Sequence, residues 1–150
     1  MMANRGLIKS IAWVAGALIA AGLIWSAASH YFTFGTTVDP RSEQQLKDIA
    51  ASINRAVPVM IDEETELLPA EGHEGMLIYN YRLVGYSASQ LDHQKFSEGA
   101  KQKVTQGACS RTETRDEFLK NGVTLRYSYF DKDRKHIATV DVTPADCGFS

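Results

Sequence analysis

Residues 123–143 read VTLRYSYFDKDRKHIATVDVT, and this stretch decides the fold class. Val123, Leu125, Tyr127 and Tyr129 alternate with more polar positions, the period of a strand that buries one face. Asp131-Lys132-Asp133-Arg134 makes a charged turn. Lys135 to Thr143 returns as a second strand, with Ala138, Val140 and Val142 on one face and Ile137 on the other. The two runs form a hairpin.

Reading outward from that hairpin, Asn121-Gly122 is a helix stop. Ser110 followed by Glu113 caps a short helix that carries Phe118 and Leu119. A longer helix opens at the Ser89/Asp92 capping signature and runs to about Gly107, with Leu91, Phe96, Ala100 and Val104 along one side. Met76 to Tyr86 is a strand in which Leu77, Tyr79, Tyr81 and Leu83 alternate with Ile78, Asn80, Arg82 and Val84. Apolar residues on both of its faces place it centrally in a sheet. Val59-Met60-Ile61 and Thr65 to Leu67 read as one short strand broken by Asp62-Glu63-Glu64, and Leu68 to Gly75 as a polar turn. Asp39-Pro40 opens the first helix, Ser42 and Gln45 offer a capping box, and Leu46, Ile49, Ile53 and Val57 follow helical spacing up to Pro58. The expected order is α-β-β-α-α-β-β. That describes an α+β domain over residues 42–150, with an antiparallel sheet packed with helices on one face.

The first 34 residues have a different solvent in view. No charged residue occurs from Ile11 to Ala28, a run of about 18 residues or ~27 Å as a helix, against a hydrocarbon core of ~30 Å. Arg5 and Lys9 before it hold the N-terminus in the cytoplasm, and Trp13 and Trp25 sit near the two ends of the span. Residues 1–34 therefore read as a cytoplasmic tail and a single transmembrane helix, and residues 35–41 as a linker. Gly16 and Ala20, with Ala12, place small residues on one helix face, where a homodimer through this helix could form. A cleavable signal peptide, cut after Ala28 in Ser26-Ala27-Ala28, is the competing reading. Either way the domain lies outside the cytoplasm. The expected location is the bacterial inner membrane, with lipid around the helix and the C-terminal domain periplasmic.

Lys+Arg total 16 and Asp+Glu 18, a net charge of -2 that argues against nucleic acid as a partner. Arg5 and Lys9 fall in the N-terminal segment, so the domain itself is more acidic than the whole. Catalytic signatures are missing: there is no nucleophile elbow, P-loop or dinucleotide fingerprint. Asp62, Glu63, Glu64 and Glu66 match no calcium loop, and Asp131/Asp133 lack its glycine and distal Glu. His30, His73, His93 and His136 show no paired ligand spacing. No catalytic residue, metal ligand or cofactor is expected, and the chain reads as a non-enzyme.

Two cysteines remain, Cys109 and Cys147. An even pair in a small extracytoplasmic domain reads as a disulfide, worth about 4 kcal/mol in the chain-entropy account. Catalytic or metal-binding cysteines are the alternative, without a CxxC or a neighbouring His to support them. Tyr79, Tyr81, Tyr127 and Tyr129 make the sheet aromatic-rich. They pack in its core or, where strand alternation turns them outward, offer a partner-binding face.

From Cys109 through GVTLRYSYFDKDRKHIATVDVTPADC the chain resembles the disulfide-bearing α/β pilotins of type II secretion systems, with a helix-borne Cys, a final hairpin and a terminal Cys. INRAVPVMIDEETEL and the later YNYRLV resemble a family of small uncharacterised bacterial envelope proteins. Together these cover about residues 42–148. The chain departs from pilotins in having no lipidated N-terminal Cys. The resemblance implies a membrane-anchored periplasmic protein-binding module that assists an envelope or secretion assembly through an envelope protein partner. A phage superinfection-exclusion factor in the inner membrane, or a periplasmic domain released by signal peptidase, are the alternatives.

Overall fold

The computed structural model describes residues 38–150. The element order is α1 Glu43–Asn54, β1 Val59–Met60, β2 Thr65–His73, β3 Met76–Leu83, α2 His93–Ser110, α3 Thr112–Glu117, β4 Thr124–Phe130 and β5 His136–Val142. Short 3-10 turns occupy Ala88–Gln90, Leu119–Asn121 and Pro144–Cys147. The α+β class stands, with one five-stranded sheet in the order β1-β2-β3-β4-β5. The wholly antiparallel sheet does not. β1/β2, β2/β3 and β4/β5 are antiparallel, but β3 and β4 are parallel, with Met76 opposite Thr124 and Tyr81 opposite Tyr129. The cause is the connection between them. α2 and α3 carry the chain back over the sheet, so β4 starts from the end where β3 started.

The region read as one interrupted strand and a polar turn is a hairpin plus most of a second. Asp62-Glu63-Glu64 is the turn between β1 and β2: Asp62 Oδ1 accepts from Glu64 N at 2.8 Å, and Ile61 N donates to Thr65 O at 2.9 Å. β2 then continues to His73, and the turn shrinks to Glu74-Gly75, with Gly75 at φ 70°. Pro69 cannot donate to the ladder, and the register shifts between Leu68 and Glu71. The Ala70 backbone freed by that bulge is taken up by α1. Asn54 Nδ2 donates to Ala70 O at 2.9 Å, and Ala70 N donates to Asn54 Oδ1 at 2.7 Å. Asn54→Ala strands both backbone groups and is expected to lose about 2–3 kcal/mol in urea denaturation, where a loss under 1 kcal/mol would show water serving equally well.

Local capping explains the helix boundaries. Ser42 is the N-cap of α1, its Oγ accepting from Gln45 N at 3.3 Å. Asp39 and Pro40 lie in the turn before the helix rather than in its first turn. Leu46, Ile49, Ala50 and Ile53 are its buried stripe. Asp92, not Ser89, caps α2, through Lys95 N at 3.1 Å. Ser110 ends α2, where its Oγ donates to Gly107 O, and does not cap α3. Gly122 stops the chain in the left-handed region as read, at φ 84°.

The core-facing side of the sheet carries Leu77, Tyr79, Tyr81, Leu83, Leu125, Tyr127, Tyr129, Val140 and Val142, all buried. α1 packs against β2 and β3, and α2 against β5. Ile137, expected on the opposite face from Ala138, is buried in the same core. The register of β5 shifts at Tyr129/Phe130, and such a bulge turns two consecutive side chains to one side.

Candidate functional site

The four tyrosines offered as a partner-binding face form the centre of the core instead. Parallel pairing sets Tyr79 beside Tyr127 and Tyr81 beside Tyr129, ring centroids 5.5 Å apart in both pairs and nearly stacked. Tyr81 and Tyr127 stack at 6.4 Å, and Phe96 of α2 meets Tyr129 edge-on at 5.2 Å. Even the most accessible, Tyr79, is 9 % exposed. Burial pushes all four phenols well above the ordinary tyrosine value, so they stay neutral throughout the physiological range. Alternation put all four on one face, and the helices cover that face.

The cysteine pair is closed. Cys109, near the C-terminal end of α2, bonds Cys147 in the 3-10 turn after β5, with Cα atoms 5.3 Å apart. Polar contacts gather beside the bridge. Lys101 Nζ donates to Asp146 Oδ2 at 2.7 Å and to the Asp141 carbonyl, and Arg126 holds Asp141 by a two-pronged contact at 2.7 and 2.8 Å. Lys101 lowers the Asp146 pKa and Arg126 that of Asp141, each through a charged hydrogen bond.

At the opposite end of the sheet lies Asp131, a buried carboxylate held by backbone N–H groups and, among the described residues, in no ion pair within 4 Å. Its Oδ2 accepts from Ala88 N, and its Oδ1 from Asp133 N and Lys135 N, each at 2.8 Å. The Ala88 N–H is the first cause of its lowered pKa, followed by burial in the opposite sense, then by the Lys135 and Asp133 N–H groups and last by the Lys135 charge. Asp131, Asp141 and Asp146 therefore hold stability that is present above the unfolded carboxylate value of about 3.9 and is lost as pH falls through their lower folded values. Glu117 opposes them: burial raises its pKa, with Glu113 and Asp116 adding to the effect. Asp131→Asn is expected to lower Tm at pH 7 by about 5–10 °C and to flatten the acid limb of the stability–pH curve. An unchanged acid limb would remove Asp131 from that account.

What is left for recognition is an edge and a tip. Val38, Val59 and Met60 are the large hydrophobic side chains that stand exposed among the described residues. Two of them form β1, and Pro58 before it has no N–H to offer a neighbouring strand. The sequence marked these residues as strand. What it did not show is that a strand of two residues stays uncovered. The tip is the β4–β5 hairpin, where Lys132, Arg134, Lys135 and His136 are exposed. Among the described residues no group of His, Cys, Asp or Glu is arranged to hold a metal ion, and no helix is long and apolar enough to cross a membrane. Trp13, Gly16, Ala20 and Trp25, read as anchor residues, lie outside the described residues.

No protein-family model matches the sequence, and no curated protein does. Solved structures match by shape. A Pseudomonas aeruginosa protein described as secreted aligns with a TM-score of 0.62 and 19% identity, over 76% of this chain and 99% of its own. EpsS, a Vibrio vulnificus type 2 secretion pilotin, aligns at 0.56 and 14%, over 72% and 93%. AspS, a type II secretion pilotin of Vibrio cholerae, aligns at 0.53 and 14%, over 70% and 91%. The domain has the fold of the type II secretion pilotins, closed by a disulfide between Cys109 and Cys147.

Proposed function

We propose that the chain is a non-catalytic protein-binding module of the bacterial envelope, held at the inner membrane by residues 1–34, that assists a secretion or related envelope assembly. The observation that supports this most is the alignment with two pilotins over more than nine-tenths of their length. The apolar run Ile11 to Ala28, flanked by Arg5, Lys9, Trp13 and Trp25, supports the anchor. The partner is another envelope protein, engaged through the surface left free by the helix-covered core. Deleting the chain is expected to lower the amount of fully assembled secretion complex recovered from membranes, and re-expression to restore it. Unchanged assembly would overturn the reading. Intact mass of the mature protein tests the anchor separately, since loss of the first 28 residues would make it a released domain.

A further inference from the structure

The β4–β5 hairpin concentrates cations in an acidic domain. Lys132, Arg134 and Lys135 fall within four residues, all exposed, with Asp133 the one exposed carboxylate among them. None of the three cationic side chains joins an ion pair within 4 Å among the described residues, and what sets them apart from other such cations is that they stand together on one turn. The backbone beneath them is fixed. Asp131 binds three N–H groups, Lys132 N donates to Tyr86 O at 2.9 Å, and Arg82 Nη1 donates to Lys132 O at 3.1 Å. Arg134 stands at φ 64°, where glycine is the favoured residue.

The neighbouring edge supplies the second half of a site. Among the described residues β5 has β4 on one side and no strand on the other. Lys101 binds the Asp141 carbonyl, which marks the backbone of Asp141 as facing outward. Strand alternation turns the N–H and C=O of Thr139 outward as well. Thr139 is exposed, and among the described residues its backbone has no hydrogen-bond partner outside the ladder. An extended segment laid along this edge would pair with Thr139 and bring its side chains over the hairpin cations.

We infer that the outer edge of β5 and the hairpin cations Lys132, Arg134 and Lys135 together form a docking site for an extended acidic segment of a partner protein. Charge complementarity selects the acidic character. The open stretch at Thr139, beside the Asp141 carbonyl that Lys101 already takes, selects a peptide, since a lipid headgroup has no use for a strand edge. The site rests on the protein-binding reading above and adds where and by what chemistry the partner is held.

The test uses the full chain in neutral detergent and a fluorescent Glu-Val-Glu-Val-Glu-Val peptide, with its Lys-for-Glu counterpart and phosphatidylglycerol vesicles as the other arms. The acidic peptide is expected to bind in preference to the basic one, to weaken about tenfold in the K132A/R134A/K135A triple variant, and to protect the Thr139 amide from hydrogen exchange. Arg134→Gly separates side chain from backbone: Tm is expected to rise by about 3–6 °C while peptide affinity falls. Equal affinity in the triple variant, or a risen Tm with unchanged affinity in Arg134→Gly, would overturn the site. So would tight vesicle binding without peptide binding. Any of these results alongside chain-dependent assembly would remove the hairpin assignment and leave the broader function intact.

Discussion

Gly72→Ala is expected to destabilise the domain by about 3 kcal/mol, the upper end of what overpacking costs and a large share of a domain's stability. A Cβ at this position would lie 2.2 Å from the Leu46 carbonyl carbon and 2.3 Å from Leu46 O and Lys47 N. These are backbone atoms of α1, so no rotamer change relieves the clash. The helix must lift off β2, and Leu46, Ile49, Ala50 and Ile53 lose their contacts together. Gly99 is the internal control. It lies in the exposed part of α2 with nothing within 4 Å of a new Cβ, so Gly99→Ala is expected to stabilise by about 0.5–1 kcal/mol. Urea denaturation of the two variants reads both signs. A Gly72→Ala protein as stable as wild type would mean that α1 does not hold its place against β2.

Removing the bridge by Cys109→Ala with Cys147→Ala is expected to cost about 4 kcal/mol, the loop-closure value for a separation of 38 residues. Tm should fall by about 15–25 °C. The domain should still fold, because Lys101–Asp146 ties α2 to the C-terminal turn and Arg126–Asp141 ties β4 to β5 without it. Thermal unfolding with and without reductant measures the effect in the natural chain. A Tm change below a few degrees would show that the denatured chain gains little freedom when the bridge opens.

The sequence was most legible where one residue type settles one local geometry. Gly122 stopped a helix, the Asp131 to Arg134 turn joined two alternating runs, and two cysteines made one bridge. It was least legible where a distant element supplies what the local composition lacks. Leu68 to His73, with Pro69, Glu71 and the small residues Ala70 and Gly72, has the look of a turn; α1 makes it a strand through Asn54 and through its close approach at Gly72. The parallel pairing of β3 with β4 depends on the path of α2 and α3, which no alternation records. Alternation likewise grouped the four tyrosines without saying which face the helices would cover. The hairpin cations have the sequence of a charged turn, and it is their clustering on one fixed turn, together with the φ of Arg134, that sets them apart from the other surface charges.

The parallel pair has a consequence for the birth of the domain. Everything from α1 through β3 is in hand after residue 83, yet the partner strand for β3 begins only at Thr124. Until some 40 further residues have emerged, the edge of β3 stays bare, with Leu77, Tyr79, Tyr81 and Leu83 beside it waiting for half of their neighbours. The bridge offers no protection in that interval, since Cys147 arrives only after β5. A nascent chain stalled in the crossover would expose an aromatic strand ready to pair with any other, and proteolysis or aggregation would take hold there first.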